Sequence, residues 1–350
     1  LSQLNSSQLS GLSTSTLNDL ASATLGALTS TQVAGLSTDQ VASLTTTALS
    51  YLSTRGIAGL STSQIGAMST EQLSSLSSSK IMAMSGLQLG ALKYADWIAL
   101  GDVNSLSNFS STQMRGLTTT QVSELSTSAL AQLNTKAIAG MTTAQIVALT
   151  TVQAAGLTSA AVKALTTAQL AAMQTSDLAV LTSTNLAVLS STQVQALTTA
   201  QIVGLSTDQV TTINTVTLQA LTLKQVAALE SSDITLLGSA KVTSLSSTQL
   251  RALSTTQLGA LTTAQLSSLG ATQLVHLKAE QMPGLTASKL SDLNSSILAA
   301  LTASQVAGLR TDQISGLTTA ALNALSSSAI AQLSTAQIVS LTTGQATALS

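Results

Sequence analysis

A large apolar residue occupies every eighth position of this chain. The series runs from Leu4 to Leu100 and, after one nine-residue step, from Phe109 to Leu349. Leucine fills 38 of these 44 positions. So strict a period indicates one small structural unit copied many times. Residues 1–350 are therefore interpreted as a single continuous octapeptide-repeat array with one register slip at 101–109.

Each repeat, called an octad and numbered from its apolar first residue, carries a helix-start signal. Position 2 is Ser, Thr or Asn in 35 octads, position 5 is Gln in 24, and position 6 is Leu, Ile, Val or Met in 39. A hydroxyl residue followed three residues later by Gln is a capping box, and the apolar residue before the cap packs on the fourth helical residue. Positions 3 to 7 are thus predicted to form little more than one helical turn.

The chain must break and restart at every octad. In one long helix the apolar stripe would rotate by roughly 80° per octad. Gly35, Gly59, Gly116 and Gly308 at position 8 suit the left-handed residue that ends a helix, and small residues there permit close approach. Because one-turn helices are unstable alone, they must stack. We predict an all-α solenoid of very short capped helices, one per octad, with two octads per coil.

A β-solenoid is the alternative fold, because short Thr-rich repeats with Val and Ile also stack as strands. Positions 6 and 8 share parity but the next position 1 does not, so strict in-and-out alternation fails in every octad. Ala, Leu and Gln also favour helix over strand. The pattern therefore favours the helical solenoid.

The amino-acid composition limits the classes of partner that this chain is expected to bind. Charged residues make up 7% of the chain, the net charge is −1 and cysteine is absent. The exposed positions must then be filled largely by Ser, Thr, Gln and Ala. Nucleic acid is not expected as a partner because the twelve basic residues form no stripe along the sequence. Membrane insertion is not expected either, because no stretch approaches about 18 apolar residues.

No catalytic constellation stands out in the sequence. His276 is the only histidine, and it lies at position 8, where an exposed spacer is the simpler interpretation. The many hydroxyl residues are cap and surface residues, and none has the Gly-x-Ser-x-Gly setting of a nucleophile elbow. We expect no enzyme activity, no cofactor and no metal site.

One local irregularity runs from Lys93 to Phe109. It holds Tyr94, Asp96, Trp97 and Phe109, beside the nine-residue step. These four residues form the candidate contact patch, where a neighbouring molecule or a glycan would dock on an exposed aromatic ring. In the other interpretation, which the pattern favours, Trp97 and Phe109 fill space in the core at positions 6 and 1.

A family resemblance rests on units such as Leu197-Thr198-Thr199-Ala200-Gln201-Ile202, with close copies beginning at Leu261 and Met141. They resemble the Leu-Thr-Thr-Ala-Gln arrays of very large secreted proteins of Gram-negative bacteria, labelled adhesin-like or "heme utilisation or adhesion" proteins. The resemblance implies an extracellular or bacterial cell-surface location and transfers no functional residue. A lone His276 and scattered Met residues give no pattern for a haem ligand.

Three functions fit the array. The favoured hypothesis is a structural protein that forms an extracellular filament, sheath or adhesin stalk and associates with copies of itself end to end or laterally. Both termini cut an octad, so we expect a fragment of a longer array with uncapped ends. The second hypothesis is an interaction scaffold that binds a peptide or a surface glycan, and the third is binding to ice or another ordered surface.

Overall fold

The computed structural model describes residues 4–93, 96 and 106–349 and groups the chain into two compact units, which divide between Leu181 and Thr182. Every regular element in the described residues is helical. This confirms the all-α solenoid and removes support for the β-solenoid. Both units are built from the same short helices, which lie in chain order along the octads.

The helices of the first unit span Ser6–Ser10, Thr14–Asn18, Ser22–Gly26, Ser30–Ala34, Thr38–Ala42, Thr46–Tyr51, Thr54–Gly59, Thr62–Ala67, Thr70–Ser74, Ser78–Ala83, Gly86–Gly90, Leu106–Asn108 (3₁₀), Ser111–Gly116, Thr119–Ser123, Thr127–Gln132, Thr135–Gly140, Thr143–Val147, Thr151–Ala155, Ser159–Ala164, Thr167–Ala172 and Thr175–Ala179. Those of the second unit span Ser183–Ala187, Ser191–Ala196, Thr199–Val203, Thr207–Thr212, Thr215–Ala220, Leu223–Ala228, Ser231–Leu236, Ser239–Ser244, Ser247–Leu250, Thr255–Ala260, Thr263–Leu274, Ala279–Gly284 (3₁₀), Ala287–Ser291, Ser295–Ala300, Ala303–Ala307, Thr311–Ser315, Thr319–Asn323, Ser327–Ile330, Thr335–Val339 and Thr343–Ala348.

The predicted capping boxes start these helices. In the octad of Met141, Thr142 adopts an extended backbone and its hydroxyl accepts from the Gln145 N–H at 3.2 Å. The Gln145 carboxamide oxygen in turn accepts from the Thr142 N–H at 2.7 Å. Two backbone donors that a one-turn helix leaves free are thereby satisfied within the octad.

Positions 6 and 1 form the core. Ile146 and the following Leu149 are both buried, and the Leu149 N–H donates to the Ile146 carbonyl at 3.2 Å. The same pair is buried in nearly every described octad. The spacing of three places both side chains on the inner side of the chain, as the sequence predicts.

The prediction of two octads per coil is wrong, because within each unit the helices stack on helices that lie three octads earlier. Thr54–Gly59 packs on Ser30–Ala34, and Ser78–Ala83 packs on Thr54–Gly59. One coil therefore takes three octads, or 24 residues. The three short segments of a coil enclose an interior that accommodates two apolar side chains per octad.

The glycines at position 8 do not end the helices in a left-handed conformation. Gly35 and Gly308 have φ values of −81° and −76°, and Gly270 alone among the described residues has a positive φ. Position 8 instead requires a small residue, because the neighbouring coil lies close to it. A Cβ on Gly59 would lie 2.4 Å from the Ser30 carbonyl oxygen in the coil below. The predicted close approach is thus confirmed, and the predicted backbone conformation is not.

Regular stacking is present directly after the register slip. Leu106 is buried and precedes Phe109 by three residues, as position 6 precedes position 1 elsewhere. The next helix, Ser111–Gly116, packs on Gly86–Gly90, which is again the third octad before it. The repeat therefore resumes its regular geometry from Leu106 onward.

Candidate functional site

The structure describes two of the four residues in the candidate contact patch. Phe109 is 2% exposed and replaces the leucine of position 1, as the space-filling interpretation predicts for it. Asp96 is buried and accepts a hydrogen bond from the Thr70 hydroxyl. Tyr94 and Trp97 lie outside the described residues, so a contact role for their rings stays a prediction.

The most regular polar contact in the chain joins one coil to the next through the glutamine at position 5. The carboxamide nitrogen of Gln257 donates to the Val226 carbonyl at 2.9 Å and to the Leu229 carbonyl at 2.7 Å. Its carboxamide oxygen accepts from the Ser254 N–H at 2.8 Å. One buried side chain thus caps its own helix and satisfies two carbonyls of the coil below.

We call this repeated contact the glutamine ladder. Its acceptors lie 31 and 28 residues back and are the carbonyls of position 6 and of the next position 1. The same pair of acceptors recurs for Gln64, Gln72, Gln88, Gln145, Gln153, Gln169, Gln225, Gln249, Gln265, Gln281, Gln305, Gln313, Gln337 and Gln345. Gln121 spans the slip, so its acceptors Leu89 and Leu92 lie 32 and 29 residues back.

Sequence reasoning missed the ladder. It assigned Gln to capping and to the exposed surface, whereas at position 5 the side chain is buried. The choice of Gln at position 5 could have indicated the ladder. A capping box needs only the oxygen of Gln, so a preference for Gln over Glu at a cap site indicates that the amide nitrogen also has an acceptor.

Some octads without Gln keep the inter-coil bond by another route. In the octad of Leu133, position 5 is Ala137 and the cap residue Asn134 donates instead. Its amide nitrogen reaches the carbonyls of Ser107 and Phe109 at 2.8 and 2.9 Å. The Phe109 carbonyl is the position-1 acceptor that a Gln at residue 137 would use. The same backbone carbonyl thus accepts an inter-coil hydrogen bond even where a different side chain donates it.

Charged residues at position 5 give an imperfect ladder. The ammonium group of Lys80 donates to the carbonyls of Leu49 and Ser50 at 3.0 and 2.6 Å, and burial lowers the pKa of Lys80. Asp233 caps its helix by accepting from the Glu230 N–H, but a carboxylate has no proton for the carbonyls below. Burial raises the pKa of Asp233.

His276 lies on the surface, at the end of the kinked helix Thr263–Leu274. Within the described residues, no group of three or more His, Cys, Asp or Glu side chains is placed to hold a metal ion. No helix among them has the length and apolar character needed to cross a bilayer. The ion pair found there joins the Arg310 guanidinium to Asp312 at 3.0 Å, and this contact lowers the pKa of Asp312.

Comparison with known protein families supports the repeat architecture. A family model described as the ALTTAQ repeat matches residues 47–78, 170–207 and 226–263. No curated protein matches the chain. The matched regions fall on octads whose helices stack as described above. Sequence family and fold together identify the chain as an all-α repeat protein with a solenoid architecture.

Proposed function

We propose that this chain is a structural protein that forms part of an extracellular filament, sheath or adhesin stalk. The observation that carries the proposal is the glutamine ladder, because within each unit the same buried contacts join one coil to the next at many octads. Further coils can be added to such a stack through the same contacts. The resemblance to large secreted bacterial proteins supports a cell-surface location, which antibody labelling of intact cells would test.

Self-association is part of the proposal, because the two faces of a coil are complementary. One face offers the carbonyls of positions 6 and 1, and the other offers the amide nitrogens of position 5. Burial of the apolar residues also depends on a coil stacked above them. Ile314, which has such a coil above it, is fully buried, whereas Ile338, 24 residues later, is 46% exposed. A further coil, from a longer array or from a second copy, would cover Ile338 and its carbonyl neighbours.

Electron microscopy and sedimentation of the purified 350-residue chain test this function. We expect association that increases with concentration and fibres of uniform width. Ile338→Lys should abolish end-to-end association, because a charge cannot be buried between two coils without a partner. Val339→Lys is the matched control, because Val339 is 79% exposed at position 7, where side chains point outward along the array. A chain that sediments as a monomer at every concentration would refute self-association.

A further inference from the structure

Three backbone irregularities of the second unit lie around one corner of the solenoid. Helix Ser247–Leu250 has only four residues, and Gly270 breaks the next helix of the same stack with a φ of 65°. Residues 279–284 form a 3₁₀ helix that contains Pro283, the only proline of the chain. His276, the only histidine, lies between these two irregular segments.

A cleft of about 980 Å³ opens at this corner. Its walls come from residues 251–255, 275–281 and 302–305, which occupy the same corner in three consecutive coils. Three basic side chains, Arg251, His276 and Lys278, line the cleft together with one acidic side chain, Glu280. All four side chains are exposed, so the cleft presents more positive than negative charge to solvent.

The two strong cations of the cleft, Arg251 and Lys278, form no ion pair with any described residue, whereas Arg310, in the neighbouring stack, is paired with Asp312. Arg251 and Lys278 also border a second, smaller depression of about 420 Å³, whose other wall includes Leu223 and Ala252. Leu223 is 48% exposed. An apolar shelf therefore lies directly beside the two cations.

The lining favours one chemical class of ligand. Arginine and lysine bind carboxylates, and arginine does so with two parallel hydrogen bonds. The hydroxyl groups of Ser254, Thr302 and Ser304 supply a polar wall, and Leu223 supplies an apolar one. A pyranose ring offers hydroxyls along its edge and a C–H face. A peptide strand is disfavoured because the described residues present no strand edge to extend.

We propose that this corner is a binding site for acidic oligosaccharides, in which Arg251 and Lys278 bind a uronate carboxylate and the sugar ring lies on the Leu223 shelf. The site is independent of the structural role proposed above. An array that assembles without binding sugar, or that binds sugar without assembling, would separate the two proposals.

Calorimetric titration of the full chain with oligogalacturonate tests the site. We expect binding that weakens as salt is added. Maltohexaose should bind at least tenfold more weakly, because it has the sugar rings without the carboxylates. Arg251→Ala with Lys278→Ala should reduce uronate affinity by about tenfold or more. Arg55→Ala with Lys136→Ala removes the same charge from exposed sites in the first unit and should leave the affinity unchanged.

Other results would overturn the proposal. Equal affinity for inorganic phosphate or for hexaglutamate would show a general anion site or a peptide site in place of a sugar site. Equal affinity for maltohexaose would show that the cations are not used. Uronate binding that survives the Arg251 and Lys278 substitutions would place the ligand elsewhere, and no measurable binding would remove the site. Circular dichroism of each variant checks that the helices are retained.

Discussion

At position 5, a single glutamine links the local and the long-range structure of this protein. Its oxygen completes a cap three residues away and its nitrogen satisfies carbonyls about thirty residues away, as Gln257 does for Ser254, Val226 and Leu229. Each such bond contributes roughly 1 kcal/mol net, but a buried carbonyl left without a donor costs about 1–3 kcal/mol. The ladder therefore matters most as a way to avoid unsatisfied groups, which also explains why Asn134 replaces it where Gln is absent.

Lys80 makes one step of the ladder sensitive to pH. Burial lowers its pKa from the ordinary value of 10.5, so between the lowered pKa and 10.5 the folded chain binds fewer protons than the unfolded chain. The stabilisation from a neutral Lys80 is complete above 10.5 and is lost as pH falls through the lowered pKa. We expect Lys80→Gln to raise the free energy of unfolding by about 1 kcal/mol at neutral pH, because an uncharged amide makes the same contacts.

Urea unfolding followed by circular dichroism at several pH values measures this effect. The gain from Lys80→Gln should shrink as the pH rises through the lowered pKa and should be smallest above 10.5, where Lys80 is mostly neutral in both states. Lys136→Gln is the control, because Lys136 is exposed at position 4. A gain that stays constant across the pH range would contradict a titrating Lys80.

The helix-to-helix contact depends on small residues at position 8, and Gly59 tests this. In an isolated helix, alanine in place of glycine stabilises by about 1 kcal/mol. At Gly59 the added Cβ would meet backbone and side-chain atoms of Ser30 at 2.4 to 2.7 Å, so the two coils must separate. We expect Gly59→Ala to destabilise the first unit by roughly 1–3 kcal/mol, as overpacking does.

Gly66→Ala provides the matched control for this element. Gly66 lies in helix Thr62–Ala67, at position 7 of its octad, where an added Cβ would approach the Ala91 carbonyl oxygen at an ordinary 3.6 Å. This substitution should leave thermal stability unchanged or raise it slightly. If both variants melt at the same temperature, close approach at position 8 is not what restricts the residue there.

The sequence predicts the single helix well because each octad carries its own start signal in eight consecutive residues. The cap at Thr142, the apolar pair of Ile146 and Leu149, and the small residue at position 8 all follow from local spacing. The number of octads per coil does not, because it depends on how three turns close around a shared interior. The sequence does not predict the cleft beside Arg251 either, because its walls are about 24 residues apart in sequence and meet only when the coils stack.

At the scale of the whole molecule, a 24-residue period has a direct consequence for deletions. Removal of residues 302–325 takes out one complete coil and joins Leu301 to the cap residue Ser326. Gln337 should then donate to the carbonyls of Met282 and Leu285, which Gln313 uses in the intact chain. We expect helix content per residue and amide protection beyond the junction to be preserved, measured by circular dichroism and hydrogen exchange.

Removal of residues 302–313 is the control, because it joins Leu301 to Ile314 and destroys the octad phase. That shorter deletion should unfold the coils after the junction, although it removes half as many residues. If the longer deletion were the more damaging of the two, stability would depend on contacts particular to one coil, and the equivalence of coils that the ladder implies would be wrong.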